Sequence, residues 1–263
     1  MTDSSSTIDL TRAARAAEQA AYAAGTHLQA SRSRLSEIVI THQAPADVVA
    51  AIDREARGLI REVVLKHLPD HHFLGDKGPA DGPCWVVDPI DGRANYLRGY
   101  PQYAVSIALV EAGEPLVGVI YDPCRNEFFG AIRGRGAVLN AQPIRAASRR
   151  TAAESLAATV FPRAASPRMP VYMAELGRML RAFSGVRRSG SMALELASLA
   201  AGRIDAFWQH DMGAWDAAAA IVLLRESGAL VTARDGRPLL ESASVMACTP
   251  PLYEPFLSLL AEA

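Results

Sequence analysis

The chain has 263 residues, of which 50% are hydrophobic and 21% charged, enough apolar surface for one large α/β domain or two smaller lobes. Its 27 Lys and Arg nearly balance its 28 Asp and Glu, and a net charge of -1 excludes a general attraction to nucleic acid or anionic lipid. The three cysteines are widely spaced and lack a Cys-x-x-Cys pair, which argues against a disulfide framework or a zinc site and predicts reduced thiols in a cytoplasmic protein.

The N-terminal segment predicts a surface helix rather than a signal peptide or a membrane span. Charged residues interrupt its apolar positions, and no basic start precedes an apolar core. Asp9 or Thr11 can cap this alanine-rich helix, and Gly25 is expected to bend or end it. A second helix is predicted over 46–67, where aliphatic residues recur at helical spacing.

The pattern then changes to that of β-strands. Four runs separated by turn sequences predict a mainly antiparallel sheet, with strands at 84–88, 103–111, 116–121 and 127–132. The glycine-containing stretch 133–136 that follows is interpreted as a hairpin turn rather than a phosphate loop, because no helix signal comes after it.

Beyond residue 150, strand and helix patterns alternate, which predicts a second α/β layer. The predicted strands are 156–161, 204–208, 229–232 and 244–248, and the predicted helices are 170–183, 191–201 and 215–227. The polar segment 146–155 has the weakest periodicity. It predicts a boundary between an N-terminal α+β lobe, residues 1–147, and a C-terminal α/β lobe, residues 148–263.

The stretch WVVDPIDGRANY, residues 85–96, is the strongest chemical signal. A strand ends at Asp88, Pro89 and Gly92 favour a sharp turn, and Asp91 follows, so two carboxylates are expected in one concave site. Hard divalent cations such as Mg²⁺ would relieve their repulsion, with Asp88 bridging two ions and Asp91 on one of them. The alternative is a plain turn in which the carboxylates cap backbone N–H groups, and that composition is common.

Two segments carry a resemblance to a known family. WVVDPIDG and GAWDAAAAIVLLRESGALV, residues 213–231, closely resemble the two signature segments of the inositol monophosphatase family of Mg²⁺-dependent, lithium-sensitive phosphomonoesterases. Further similar segments follow in the family order, so the resemblance covers about Ala13 to Leu259. It implies an α/β fold, specifically an αβαβα layered sandwich of the inositol monophosphatase and fructose-1,6-bisphosphatase type.

The resemblance also implies cofactors, partners and metal ligands. It implies two or three Mg²⁺ ions, with Mn²⁺ as a substitute and Li⁺ as an inhibitor, a small phosphate monoester as substrate, and a homodimer. No nucleic acid or membrane partner is indicated. The implied metal ligands are Asp76, Asp88, the backbone carbonyl of Ile90, Asp91 and Asp216. The implied catalytic acids are Asp53, Asp76 and Asp91.

The implied substrate-binding positions lie on both sides of the expected cleft. Backbone N–H groups at Gly92 and Arg93 would hold the phosphate, with Gly190 and Ser191 near the substrate. Met192 stands where the family has a small residue, and core packing is the alternative role for it. Gln209 stands where many members have a glutamate, and its amide can bond hydroxyls without charge.

Three substitutions depart from the family pattern around the expected attacking water. Arg93 replaces a threonine, and a guanidinium cannot act in a proton relay, although it can grip a phosphate or extend into solvent. Asp76 is one methylene shorter than the usual glutamate, and Lys77 follows where a second acid is usual. Weakened catalysis or a changed substrate is expected.

The sequence therefore predicts Mg²⁺-dependent hydrolysis of a small phosphate monoester by metal-activated water. The substrate would be similar to inositol 1-phosphate or be a related polyol or sugar phosphate. Two alternatives remain: a phosphatase for histidinol phosphate or a 3′-phosphonucleotide, and a weakened family member that acts as a regulatory or binding protein. The histidines have no Gly-x-Ser-x-Gly partner, so a Ser-His-Asp hydrolase is not indicated.

Overall fold

The computed structural model describes residues 8–35, 45–76 and 82–261. Helix α1 (Leu10–Ala30) begins where the sequence predicts, because the Asp9 carboxylate accepts hydrogen bonds from the backbone N–H groups of Thr11 and Arg12, both at 3.0 Å. Gly25 was expected to bend or end the helix, and the expectation that it ends the helix was wrong. The helix passes through Gly25, where the Tyr121 ring packs so closely that a Cβ would lie 2.4 Å from its Cε1 atom.

Helix α2 (Pro45–His67) confirms the second predicted helix. It packs beside α1 on one face of a large sheet, and the buried side of α1 consists mainly of alanines. Small side chains let two helices and a sheet approach closely, which explains the alanine-rich N-terminal sequence.

The large sheet has seven strands whose neighbours follow chain order, and every pair is antiparallel except β1 with β2. The strands are β1 (His72–Phe73), β2 (Cys84–Asp91), β3 (Ala104–Glu111), β4 (Glu114–Asp122), β5 (Glu127–Ile132), β6 (Ala137–Leu139) and β7 (Gln142–Ile144). The four strands predicted from the sequence correspond to β2–β5. The predicted antiparallel sheet is therefore confirmed.

Five strands form the second sheet, in the spatial order β11-β12-β10-β8-β9. They are β8 (Leu156–Thr159), β9 (Gly185–Arg187), β10 (Ala206–Gln209), β11 (Leu230–Ala233) and β12 (Val245–Cys248). The pairs β8–β9 and β8–β10 are parallel, and the other two pairs are antiparallel. The remaining α-helices are α3 (Arg93–Arg98), α4 (Met169–Ala182), α5 (Met192–Ala200), α6 (Ala218–Glu226) and α7 (Tyr253–Ala261).

These elements stack in five layers. The large sheet packs α1 and α2 on one face and α5 and α6 on the other, so β3 and β4 are apolar on both sides. The second sheet covers the opposite side of α5 and α6, and α4 and α7 cover its outer face. The predicted αβαβα order is confirmed. The division into two lobes at residue 147 stays a prediction, since both sheets share the apolar core around α5 and α6.

The stretch 133–136 is the hairpin turn between β5 and β6, as predicted. The backbone N–H groups of Gly134 and Gly136 both donate to the Glu226 carboxylate, at 2.7 Å. A side chain of the protein therefore fills the position that a phosphate would need. The sequence reasoning missed the short strands β1, β6, β7 and β9 and the helices α3 and α7.

Candidate active site

Asp88 and Asp91 lie at the end of β2, where the strand leaves its regular register. Asp88 pairs with Ser106 and Asp91 with Ala104, so four residues of β2 face three residues of β3. In a regular strand, residues three apart point to opposite faces, but this bulge adds one residue and returns both carboxylates to the same face. Pro89 lies inside the irregular stretch, where it removes a donor from the ladder. The bulge is thus what brings the two acids together.

Gly92 turns the chain from β2 into α3. Its φ of 90° and ψ of 36° are left-handed, and a Cβ there would lie 2.8 Å from the carbonyl oxygen of Gln102. Only glycine meets both requirements without strain. The turn places Arg93 as the first residue of α3, directly beside the two aspartates.

The Asp91 carboxylate is held at the N-terminus of the central helix α5. Its Oδ2 atom accepts hydrogen bonds from the Ser191 hydroxyl at 2.5 Å and from the Ala193 backbone N–H at 2.8 Å. Ser191 is also the N-cap of α5, where its hydroxyl accepts from the Leu194 N–H. A helix N-terminus stabilises negative charge, so α5 fixes the orientation of Asp91.

Asp216 comes from a different part of the chain, a single 3₁₀ turn (Ala214–Ala217) that precedes α6. Its carboxylate packs against Gly213, where a Cβ would lie 2.6 Å from Asp216 Oδ2. Burial raises the pKa of Asp216, while the Gly213 backbone and the Arg93 charge oppose that rise. The predicted helix over 215–227 therefore begins with a tighter turn that carries this acid.

The negative charge of Asp216 affects the ionisation of Asp88 and Asp91, and the charge of Asp88 affects that of Asp91. Burial raises the pKa of Asp91 to about 7, and the negative charges of Asp88 and Asp216 add to the rise. Burial likewise raises the pKa of Asp88 to about 6, with Asp216 and Asp53 contributing and Arg93 opposing. Carboxylates whose pKa values rise in this way lack sufficient positive charge around them. We call Asp88, Asp91 and Asp216 the acid cluster.

Arg93 provides the positive charge that contacts this cluster. Its Nη2 atom lies 3.0 Å from Asp53 Oδ1 and 3.8 Å from Asp88 Oδ1. Asp53 is buried on α2, and Arg57 lies one helical turn further along, with its Nη2 atom 4.0 Å from Asp53 Oδ2. The Arg93 guanidinium therefore faces these acids, while 59% of its side chain remains exposed to solvent.

Asp76 has other partners. Its Oδ2 atom accepts from Arg61 Nη1 at 2.6 Å and from the Phe73 backbone N–H at 3.1 Å. These two interactions hold the pKa of Asp76 below its ordinary value. The predicted role of Asp76 as a metal ligand stays a prediction, and Lys77 lies outside the described residues.

The predicted substrate-binding residues occupy different environments. Gly190, with a φ of 89°, packs against the Asn95 side chain. The Asn95 side-chain N–H group donates to the carbonyl oxygens of Gln102 and Ser189, so it connects the segment after α3 to the segment before α5. Met192 is buried in the central apolar core, as the packing alternative expected. The Gln209 side chain is buried on β10, and its Oε1 atom has no hydrogen-bond partner within the described residues.

The donor chemistry of the cluster fits a hard divalent cation, because all its ligating atoms are oxygens and a cation would relieve their repulsion. A cavity of about 180 Å³ beside it is lined by Asp88, Ser106 and Asp216. In residues 8–35, 45–76 and 82–261, no three His, Cys, Asp or Glu side chains are already arranged to hold an ion. The backbone carbonyl of Ile90 stays a predicted additional ligand.

Sequence reasoning missed several contacts of the site. It placed Ser191 near the substrate but not as the hydroxyl that holds Asp91. It also missed Arg57 and Arg61, although their spacing of four and eight residues from Asp53 puts all three on a similar side of one helix. That spacing was the available signal.

Comparison with known proteins agrees with this geometry. The sequence profile of the inositol monophosphatase family matches residues 9–262. The chain belongs to the inositol monophosphatase family. The resemblance seen in the sequence is confirmed, and members of this family are generally metal-dependent phosphatases.

Two relatives illustrate the range of names within the family. The chain is 37% identical to the inositol-1-monophosphatase of Rhizobium meliloti over 234 residues, which is 87% of this chain and 88% of that protein. It is 40% identical to the Nus factor SuhB of Xylella fastidiosa over 216 residues, which is 81% of this chain and 78% of that protein.

Solved structures of family members share the fold. The inositol monophosphatase of Anabaena superposes with a TM-score of 0.82 at 32% identity, covering 96% of each chain. The suhB protein of Bartonella henselae gives a TM-score of 0.84 at 32% identity, covering 95% of this chain and 98% of that one. The predicted fold type is confirmed. Across the described part of the chain, no helix is sufficiently long and apolar to cross a membrane.

Proposed function

We propose that this inositol monophosphatase family member hydrolyses a small phosphate monoester with the help of divalent cations, of which Mg²⁺ is the first choice. The observation that supports this most directly is the acid cluster, in which burial and the negative charge of Asp216, from the turn before α6, raise the pKa of Asp88 and Asp91 at the end of β2. Buried acids whose pKa values are raised in this way are typical of functional sites, including sites that bind cations.

Different residues of the chain would bind the cations and position the phosphate. Asp88, Asp91 and Asp216, with the Ile90 carbonyl, would hold the cations, and α5 would keep Asp91 oriented through Ser191 and Ala193. Cations held there would lower the pKa of a bound water and stabilise the leaving oxygen. The backbone around Gly92 and Arg93, together with Gly190 and Ser191, would position the phosphate.

The substrate proposal extends to inositol 1-phosphate and related polyol or sugar phosphates. Gln209 is the candidate residue for a hydroxyl of the leaving group, because its amide can bond hydroxyls without charge. Its Oε1 atom is buried and has no partner within the described residues. Histidinol phosphate and 3′-phosphonucleotides remain competing substrates. A homodimer and a cytoplasmic location stay predictions.

Hydrolysis of a phosphate ester panel tests the proposal. The purified full chain with Mg²⁺ is expected to release phosphate from at least one of inositol 1-phosphate, sugar phosphates, histidinol phosphate and 3′-phosphonucleotides. Asp88→Asn should abolish the release, because one of the carboxylates that would hold the cations is lost. The matched control is Asp235→Asn, which changes an Asp whose contact is with Arg237 near the surface and should leave the rate unchanged. Failure of the wild-type protein on the whole panel would contradict the proposal.

A regulatory or binding role is the second candidate. It is favoured by Arg93, which stands against Asp53 and Asp88 where the family normally has threonine, and by the name Nus factor that several relatives carry. The same panel decides between the two roles. Turnover by the wild-type protein supports the enzyme, whereas its absence in both the wild type and Arg93→Thr would favour the regulatory role.

A further inference from the structure

Arg93 lies beside several acids, although 59% of its side chain is exposed. Its guanidinium contacts Asp53 at 3.0 Å and lies 3.8 Å from Asp88, which lines one cavity together with Asp216. These acids come from α2, from the end of β2 and from the turn before α6. One fixed positive charge therefore stands among acids from three parts of the fold.

The position of this guanidinium is determined by its surroundings. Asp53 is 8% exposed and anchors it from the α2 side, while the left-handed turn at Gly92 fixes where the Arg93 backbone begins. An arginine stays charged at every pH at which the protein is folded, and it forms hydrogen bonds in a fixed planar fork. Unlike a bound ion, it does not dissociate when the ion concentration falls.

A fixed cation and a mobile divalent cation compete for the same carboxylates. Two charges a few ångströms apart near a protein surface interact strongly, so the guanidinium both relieves the repulsion among the acids and repels an arriving ion. Removing the guanidinium would leave the cluster more negative by one charge and would open the oxygen of Asp88 that it faces. The affinity for divalent cations should then rise.

We propose that the Arg93 guanidinium is a built-in cation of the acid cluster. Its charge takes the place of part of the charge that divalent ions would supply, so the native chain binds divalent ions weakly or binds fewer of them. The inference rests on the proposed function, because it concerns the same acids. It makes Arg93 a positioning residue for the cluster, acting through Asp53 and Asp88, rather than a free phosphate-binding side chain.

Calorimetric titration of the full-length, metal-free protein with MnCl₂ tests this inference without any catalytic readout. Arg93→Thr is expected either to gain one binding event or to bind Mn²⁺ roughly 10-fold to 100-fold more tightly than the wild type, the range typical of changes next to metal ligands. Arg93→Gln removes the same charge but keeps a longer side chain, and it should bind Mn²⁺ as Arg93→Thr does. Agreement between the two variants would exclude a folding defect specific to threonine as the cause.

Two controls separate the position of the charge from its mere presence. Arg93→Lys keeps the charge and should bind Mn²⁺ nearly as the wild type does. Arg98→Thr removes the same charge from an exposed position on the same helix and should leave Mn²⁺ binding unchanged. Thermal unfolding scans, with and without Mn²⁺, should show a larger shift for Arg93→Thr than for the wild type.

Equal Mn²⁺ affinity and stoichiometry in the wild type, Arg93→Thr and Arg93→Gln would overturn the inference, and so would the absence of Mn²⁺ binding in all of them. The phosphate ester panel remains a separate test. A wild-type protein that hydrolyses an ester while Arg93→Thr binds Mn²⁺ no better would keep the enzyme proposal and remove the built-in cation.

Discussion

At the scale of single residues, the ionised acid cluster lowers the stability of the folded protein. Asp88 is largely buried, with 24% of its side chain exposed, and its pKa is raised to about 6 by burial and by neighbouring acids. An acid whose pKa is higher in the folded protein than in the unfolded chain lowers stability once it ionises. Arg93 offsets only part of this cost.

Asp88→Asn should therefore stabilise the protein when divalent cations are absent. Well below pH 4 the carboxyl is protonated in both states and no gain is expected; the gain grows as pH rises toward 6 and levels off at roughly 3 kcal/mol above that. The asparagine can keep the bond from the Ile90 N–H, which Asp88 Oδ1 accepts at 3.1 Å. Urea unfolding in a chelator-containing buffer at several pH values measures the difference.

Asp235→Asn is the control for that experiment. Arg237 holds the pKa of Asp235 below its ordinary value, so the sign is opposite and no stabilisation is expected at neutral pH. A loss of stability in Asp88→Asn under these conditions would contradict the prediction, because it would show that the surroundings stabilise the ionised Asp88 carboxylate.

At the scale of elements, backbone contacts between layers set the spacing of the site. Strand β4 meets helix α6 at Gly118, where a Cβ would lie 2.2 Å from the carbonyl oxygen of Ala219. The turn that carries Asp216 leads directly into α6, so this contact also fixes the distance between Asp216 and the large sheet. The lack of a side chain at Gly118 is thus a requirement of the site's geometry.

Gly118→Ala is expected to destabilise the protein by about 3 kcal/mol. The added methyl group would clash with the helix backbone, so β4 and α6 would have to move apart. The matched change is Gly58→Ala in the middle of α2, where nothing lies within 4 Å of the added carbon. This second variant should gain about 0.5–1 kcal/mol from helix propensity. Urea unfolding of both variants gives the comparison, and equal effects would contradict the close approach of β4 and α6.

The sequence predicted elements wherever periodicity and capping residues determine them locally. Helix α2 and strand β5 were predicted almost to the residue, and the Asp9 cap was one of two candidates. Gly25 was misinterpreted because its reason is a tertiary contact with Tyr121, 96 positions away in the chain and invisible to local patterns. Strands as short as β6 and β9 lack enough residues to show alternation.

At the scale of the whole molecule, the five-layer arrangement brings the acid cluster together from distant segments. The sequence marked Asp88 and Asp91 through the strand-and-turn pattern and Asp216 through the family resemblance. In the structure, the charge of Asp216 raises the pKa of the other two acids. The direction of the Arg93 side chain and the pairing of Asp76 with Arg61 depend on α2 packing beside β2, which no spacing rule could predict. The ligand and substrate roles stay predictions.

Anomalous diffraction from crystals of the full chain soaked in Mn²⁺ tests the central claim, that the acid cluster binds divalent cations, most directly. The expected result is an anomalous peak in contact with the carboxylates of Asp88, Asp91 and Asp216, which disappears in Asp88→Asn crystals soaked in the same way. No peak at these carboxylates, with the Arg93 guanidinium still against Asp53 and Asp88, would contradict it.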